Sequence, residues 1–311
     1  RGAAFPARPA EGGRGWRVWL TEAMSSTAAR GVAAVLAGLL LGTGCSAQVS
    51  EASAGPRQAS SQPTVTSGTR AVSPAASPAA SVSADPTTAP TAGTLAGRTI
   101  VIDPGHNGGW TAKYGYRKVP DGNGHRKACN SSGTATRGGY AEHAYNWAQA
   151  NALAAALTER GATVRLTRSS DRGKGPCVDR RASLANGLHA DLLISIHADG
   201  NLGRTHRGFH VIMAPVMHGG KAVYAKSRRL AADVREAVQR EAGIPRSNYI
   251  GKGTAFSVRS DLGTLNFAEV PAVMVEMGNM MNAKDAKLFT SPSWRTRAAV
   301  ALADGIEDFL G

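Results

Sequence analysis

The stretch TIVIDPGH, residues 99–106, decides the fold, because it joins a buried strand to a tight polar turn. Residues 99–102 form a short run rich in β-branched side chains, which is typical of a strand buried on both faces. The next three residues, Asp-Pro-Gly, favour a turn, and His106 follows at once. Strands buried on both faces belong to parallel sheets, whose ligands bind beyond the carboxyl ends of the strands. The stretch therefore predicts an α/β protein with a site near His106.

Predicted helices alternate with predicted strands along the rest of residues 96–311. The polar, glycine-rich residues 107–139 are predicted to form a long loop. Helices are expected at 142–160, 179–189, 221–241 and from Ser291-Pro292 onward, and strands at 164–166, 192–196, 209–213 and 272–275. This alternation predicts one α/β domain, with a mostly parallel twisted sheet that carries helices on both faces.

Four ionisable residues converge on one edge of this predicted sheet. His106, His197 and Glu276 each follow directly after a predicted strand. Glu142 starts a predicted helix and shares helical spacing with Leu153 and other core positions, so it lies on the face turned to the sheet. Since the carboxyl ends of parallel strands meet at one edge, we expect these four side chains to lie close together.

Two imidazoles and a carboxylate are a typical ligand set of a catalytic zinc ion, which keeps a fourth position open. His106, Glu142 and His197 supply that set. Glu276 supplies the second carboxylate that hydrolysis needs for proton transfer, and its apolar neighbours are expected to raise its pKa. Taken singly, each residue has an ordinary alternative, as a turn residue, a charge at a helix N-terminus or an ion-pair partner. The four together favour a metal-dependent hydrolytic site with Glu276 as the catalytic residue.

The N-terminal residues 1–45 predict export. Residues 1–45 contain an apolar run too short to span a bilayer and typical of an export signal, and Met24 is a plausible start. Small residues precede Cys45, as in the lipobox of bacterial lipoproteins, so acylation that anchors the chain to a membrane and plain cleavage with secretion both stay open. Residues 46–95 are rich in Ser, Ala, Thr and Pro and are predicted to be a disordered linker. Residues 96–311 form the predicted catalytic domain.

The net charge of the chain narrows the choice of binding partners. The formal net charge of +14 attracts polyanions such as nucleic acid, anionic lipid or cell-wall polymer. The export signal, together with the lack of a basic helix or an aromatic platform, argues against nucleic acid.

Cys129 and Cys177 are the only cysteines after Cys45. In an oxidising compartment we expect them to form a disulfide, with two free thiols as the alternative.

The ordered set of motifs resembles the zinc-dependent N-acetylmuramoyl-L-alanine amidases of the amidase 3 type, and its long 107–139 segment resembles an actinobacterial variety. The resemblance covers about residues 97–310, and it is carried by the following residues: Ile100 to His106; Glu142 and Asn146; Arg181, Asn186 and Ser195 to Ala198; Leu265, Glu276, Gly278 and Asn282. It implies one Zn²⁺ at His106, Glu142 and His197, and catalysis by Glu276. The implied reaction hydrolyses the amide between the lactyl group of muramic acid and L-alanine, in peptidoglycan or muropeptides.

Two alternatives to this enzyme stay open from the sequence. One is a different exported zinc peptidase that cleaves between two amino acids. The other is a catalytically inactive cell-wall-binding regulator with the same fold, which a missing ligand would favour.

A further candidate is Arg259, which lies in a glycine-rich stretch. We expect it to pair with a carboxylate of the stem peptide. The chain is expected to act as a monomer.

Overall fold

A computed structural model describes residues 93–311 of the chain. The predicted export signal, the predicted acylation of Cys45 and the predicted linker up to residue 92 lie outside the described residues. Within the described part, no helix combines the length and the apolar composition that a bilayer crossing requires. Leu95, which the sequence placed last in the linker, is buried in the core, and its N–H donates to the carbonyl oxygen of Arg160 at 2.8 Å. The folded part therefore already includes Leu95.

A six-stranded sheet forms the centre of the described residues, with strand order β4-β1-β5-β8-β6-β7. All its neighbouring strands are parallel except β6, which runs antiparallel to β8. A separate two-stranded antiparallel hairpin joins β2 to β3. The strands are β1 (Thr99–Pro104), β2 (Lys118–Pro120), β3 (Arg126–Ala128), β4 (Thr163–Leu166), β5 (Leu192–Asp199), β6 (His210–Met213), β7 (Phe256–Val258) and β8 (Ala272–Asn279).

Helices cover both faces of the sheet, as predicted. They are α1 (Ala112–Gly115), α2 (Glu142–Glu159), α3 (Arg181–Gly187), α4 (Gly220–Glu241), α5 (Gly263–Asn266), α6 (Ala283–Phe289) and α7 (Pro292–Leu310). The larger core joins side chains of α2, α4 and α7 to one set of alternating strand residues. A smaller core joins α3 and α5 to the opposite set, for example Val101, Leu193 and Met274. Apolar side chains on both faces explain why the strand sequences do not alternate between apolar and polar residues.

Local sequence signals account for the buried face of α2 and for the start of α7. Glu142, Leu153 and Leu157 are buried along one side of α2, which confirms the face expected from their spacing. The side chain of Ser291 accepts a hydrogen bond from the N–H of Trp294, so it caps α7, with Pro292 in the first turn.

The segment 107–139 differs from the predicted loop, because it contains α1 and the β2–β3 hairpin. A disulfide joins Cys129 to Cys177, as expected for an oxidising compartment. Main-chain hydrogen bonds surround it: Cys129 N–H donates to Arg117 O at 2.7 Å, and Val178 N–H donates to Cys129 O at 2.8 Å. The hairpin and the helix α1 are too short to show a period in the sequence, and contacts such as these define them.

Strands β5 and β8 run further than predicted. His197 and Glu276 lie inside these strands as directly opposed partners rather than just past the strand ends. The third predicted site residue at a strand end, His106, does lie beyond its strand. The register matters for function, because opposed residues on adjacent strands point to the same face of the sheet.

Candidate metal centre and active site

His106 lies two residues beyond β1 in a left-handed backbone conformation, with φ of 59°. The guanidinium of Arg181 supports this turn, because Nη2 donates to the carbonyl oxygen of His106 at 3.1 Å. The Nδ1 atom of His106 lies 3.0 Å from the carbonyl oxygen of Ser131. A carbonyl can only accept, so a proton on Nδ1 satisfies this contact, and Nε2 is then the nitrogen available to a metal ion. Nε2 faces Glu142 Oε1 at 3.0 Å.

Glu142 is the first residue of α2, where the helix dipole favours a negative charge. Its Oε1 atom lies 3.0 Å from Nε2 of His106 and also 3.0 Å from Nδ1 of His197. Two main-chain donors fix the carboxylate, since Thr134 N–H donates to Oε2 at 2.9 Å and Ala198 N–H donates to Oε1 at 3.2 Å. The side chain is therefore held in one orientation between the two imidazoles.

The ring of His197 packs directly against the turn after β1. A Cβ atom placed on Gly105 would lie 2.2 Å from both Cε1 and Nε2 of His197, which is far inside contact distance. Residue 105 must therefore be glycine if the ring is to keep this position. Here the requirement comes from close approach and not from a special backbone angle.

The donor atoms of these three residues fit a metal ion. His106, Glu142 and His197 each offer one donor atom, and these atoms all lie within 4.8 Å of one another. Two imidazole nitrogens and one carboxylate oxygen are the ligand chemistry of catalytic zinc sites. The hydrogen bond from His106 Nδ1 to Ser131 is the kind of outer contact that orients a ligating histidine.

Burial and mutual attraction set the charge states of the three side chains. Burial lowers the pKa of His197, which favours the neutral form that binds metal. Burial also acts to lower the pKa of His106, but the Glu142 carboxylate outweighs it and raises that pKa. Burial acts to raise the pKa of Glu142, and the two histidines reverse this, so the carboxyl group stays ionised.

Glu276 lies beside this cluster as the cross-strand partner of His197. Its side chain lines an open cleft of about 410 Å³ together with the three metal-ligand candidates. Its Oε2 atom is buried without a hydrogen-bond partner among residues 93–311. Burial, followed by the nearby charges of Glu142 and Asp199, raises the pKa of Glu276 well above its ordinary value. A carboxyl group with a raised pKa can both accept and return a proton near neutral pH.

Two basic residues form part of the outer wall of the cleft. Arg259 lies in this wall, as the sequence suggested, and forms a two-point ion pair with Asp261 at 2.7 and 3.0 Å. Lys127 of β3 also lines the cleft and donates to the carbonyl oxygen of Asp261. Lys127 was missed in the sequence because nothing in the polar 107–139 segment indicated that a hairpin would bring it to the site.

The structure thus brings together the four residues that the sequence singled out, and adds their supports. Among those supports, Thr134 acts through its main-chain N–H, and Ser131 acts through its carbonyl oxygen at 3.0 Å, with its hydroxyl 3.3 Å from the same His106 nitrogen. Main-chain contacts leave no signal in the type of side chain. The fold and this site together define the protein as an α/β hydrolytic enzyme with a candidate metal centre.

The chain belongs to the family of N-acetylmuramoyl-L-alanine amidases of the amidase 3 type, whose match covers residues 100–308. It is 43% identical over 217 residues to an N-acetylmuramoyl-L-alanine amidase of Mycobacterium tuberculosis. The match covers 70% of this chain and 88% of that relative.

Two solved mycobacterial structures are also similar to this chain. The N-acetylmuramyl-L-alanine amidase of Mycobacterium smegmatis matches with a TM-score of 0.66 and 43% identity, over 70% of this chain and 98% of that one. The apo form of the enzyme from Mycobacterium abscessus matches with a TM-score of 0.66 and 41% identity, over 70% of this chain and all of that one. These matches confirm the predicted family, its actinobacterial character and the predicted fold class.

Proposed function

We propose that this chain hydrolyses the amide bond between the lactyl group of N-acetylmuramic acid and L-alanine, using one Zn²⁺ held by His106, Glu142 and His197. The observation that carries the proposal is the approach of two imidazole nitrogens to one carboxylate oxygen at 3.0 Å, with Glu276 on the neighbouring strand. Family membership favours the amidase over a different zinc peptidase. The presence of all four side chains disfavours an inactive wall-binding regulator.

In this mechanism Glu276 moves the proton that hydrolysis requires. Bound Zn²⁺ supplies Lewis acidity toward a water molecule and the scissile carbonyl oxygen. Glu276 accepts the proton of the attacking water at its carboxylate and returns it to the nitrogen of L-alanine as the C–N bond breaks. The products are a lactyl carboxylate and a stem peptide with a free amine. The raised pKa of Glu276 suits it to hold this proton between the two steps.

The basic outer wall of the cleft suits an acidic peptide. Arg259 is partly exposed and forms its ion pair with an exposed aspartate, so a substrate carboxylate can compete for it at small cost. We propose that Arg259 binds a carboxylate of the stem peptide. The open shape of the cleft is consistent with entry of either polymer or released muropeptides.

The site of action that we propose is outside the cytoplasm, and it rests on the sequence pattern of residues 1–45. The described domain is consistent with this, because it holds a disulfide between Cys129 and Cys177. We further propose that residues 46–95 link the domain to the export segment, that Cys45 is an acylation site and that the chain acts as a monomer. Mass spectrometry of the protein from cell membranes would show an acylated Cys45, or a cleaved unmodified chain that refutes the anchor.

The decisive experiment incubates the purified chain with a muramyl peptide and identifies products by mass spectrometry. We expect release of an intact stem peptide with a free L-alanine amine, lost after chelation and restored by zinc. Glu276→Gln should abolish release, while Glu269→Gln, the same change at an exposed position, should leave it intact. Cleavage within the peptide would instead show a peptidase. Binding without any cleavage by zinc-loaded protein would show the inactive regulator.

A further inference from the structure

His210 continues a row of ionisable side chains across three adjacent strands. Glu276 of β8 is paired with His197 of β5 on one side and with His210 of β6 on the other. Opposed residues on neighbouring strands share a face, so the three side chains point to the same side of the sheet. In an antiparallel pair the Cβ atoms of opposed residues lie about 5 Å apart. His210 is therefore the next side chain to Glu276, on the side away from the metal-ligand candidates.

His210 and Glu276 each carry one buried polar atom without a partner. His210 is only 3% exposed, and its Nδ1 has no hydrogen-bond partner within residues 93–311. The same holds for Oε2 of Glu276. An unsatisfied buried donor or acceptor is costly, and most such groups in folded proteins are paired directly or through water. Two such atoms on directly opposed residues have complementary roles, because an imidazole N–H donates and a carboxylate oxygen accepts.

The surroundings of His210 keep its imidazole neutral. Burial lowers the pKa of His210 to about 4, against the opposing effect of Asp199. The charged or titratable groups near the pair are Asp199 at the end of β5, Arg259 after β7, and Tyr249, whose ring meets that of His210 edge-on at 6.3 Å. Tyr249 is itself engaged, because its hydroxyl donates to Asp199 Oδ2 at 2.8 Å. A neutral imidazole has one N–H donor, and Glu276 is the acceptor opposite it.

We propose that His210 is a positioning residue for Glu276: its Nδ1–H holds Oε2 of the carboxylate through one bridging water, and leaves Oε1 aimed at the reacting water. This inference rests on the proposed role of Glu276. A carboxylate held at one oxygen keeps a single orientation, and positional errors of about 1 Å at a reacting group can cost about 100-fold in rate. His210 acts through Glu276 and does not contact the substrate.

Substitution of His210 by asparagine and by leucine tests this role. The two replacements are similar in shape, but only asparagine offers an N–H donor near the position of Nδ1. With His210→Leu we expect kcat to fall between about 10-fold and 100-fold with little change in KM. With His210→Asn we expect most of kcat to be retained. Zinc content and thermal unfolding should match the wild type in both variants. Equal kcat in wild type and His210→Leu, or equal loss in both variants, would overturn the proposal.

A second measurement does not depend on turnover. Long-range ¹H–¹⁵N spectra of the ¹⁵N-histidine-labelled chain report which ring nitrogen carries the proton, and His210→Asn assigns the signal. We expect the neutral form protonated at Nδ1, with a chemical shift of this proton that changes in Glu276→Gln. A proton on Nε2 would overturn the proposal even if the protein is an active amidase. If the wild type releases no stem peptide, the function proposed above fails, while the position of the proton still decides the contact.

Discussion

The buried ion pair between Asp103 and Arg181 supports the loop that carries His106, and its loss should measurably destabilise the domain. Both side chains are at most 2% exposed, and Arg181 Nη1 donates to Asp103 Oδ1 at 2.6 Å. Asp103 also accepts hydrogen bonds from the hydroxyls of Thr167 and Ser195. Asp103→Asn keeps the volume of the side chain but removes its charge, so the guanidinium of Arg181 is left buried and uncompensated.

The expected magnitude follows from the cost of an unpaired buried charge. Breaking a buried pair by removing one partner typically costs about 3–5 kcal/mol. For a domain of roughly 200 residues, 1 kcal/mol corresponds to about 2–4 °C in Tm, so Tm should fall by about 6–20 °C. The double change of Asp103→Leu with Arg181→Met removes both charges. It should cost less than Asp103→Asn alone, because no charge is then left unpaired.

Thermal unfolding followed by circular dichroism, with and without zinc, measures this effect. Burial acts to raise the pKa of Asp103, but Arg181 and the hydroxyl donors outweigh it and hold that pKa below its ordinary value of 3.8. Stability from a depressed carboxyl pKa is present above the unfolded value and is lost as pH falls through the folded value. The gap between wild type and Asp103→Asn should therefore be full at pH 7 and shrink below about pH 4. A variant within about 1 kcal/mol of wild type at pH 7 would refute the reasoning.

Three further outcomes follow from the geometry. Gly105→Ala should weaken zinc binding at least tenfold in competition with a chelator, because its Cβ would displace the ring of His197. The control Gly187→Ala, which has no atom within 4 Å of its Cβ, should keep the wild-type affinity for zinc. Equal zinc affinities in the two variants would contradict the contact. Replacing Cys129 and Cys177 by serine should destabilise the domain by about 4 kcal/mol by chain entropy, since the bond spans 48 residues, and an unchanged denaturation midpoint would contradict this. Zinc at 100 times its Kd should stabilise the metal-free protein by about 2.7 kcal/mol, and a Tm insensitive to zinc would argue against a site formed only on folding.

The sequence predicted the elements of the fold that bury an apolar face. Strand β1 was predictable because its continuous run of apolar, β-branched residues such as Ile100 is buried on both faces of the sheet. Helix α2 was predictable because residues such as Leu153 repeat with the helical period on its buried face. The hairpin β2–β3 was not, because its strands have three residues each and depend on contacts with residues distant in the sequence. One such contact is the hydrogen bond from the Asn266 side chain to Asp121 O. Short elements stabilised in this way carry no periodic pattern of their own.

For the candidate site, the sequence predicted which side chains take part but not how they are oriented. The metal-ligand candidates could be named from the sequence because metal binding demands particular side chains, and these lie at or near the carboxyl ends of strands or begin a helix. Their orientation could not, because it depends on main-chain groups: the carbonyl of Ser131 on His106, and the N–H groups of Thr134 and Ala198 on Glu142. Any residue type can supply such a group, so the sequence does not mark it.

The 107–139 segment therefore has two structural roles that its composition does not indicate. Its Ser131 and Thr134 orient metal-ligand candidates, while Lys127 lies in the outer wall of the cleft. The disulfide at Cys129 lies between these two parts of the segment and fixes both to the loop before α3. One cross-linked segment thus forms both the support of the metal-ligand candidates and part of the rim of the cleft. Because the disulfide lies between these two parts, we expect a change in the hairpin to alter the rim while Ser131 and Thr134 keep their positions. The candidate catalytic residues lie on or next to the sheet and are held by these loops, whereas Lys127 and Arg259 lie in the outer wall of the cleft.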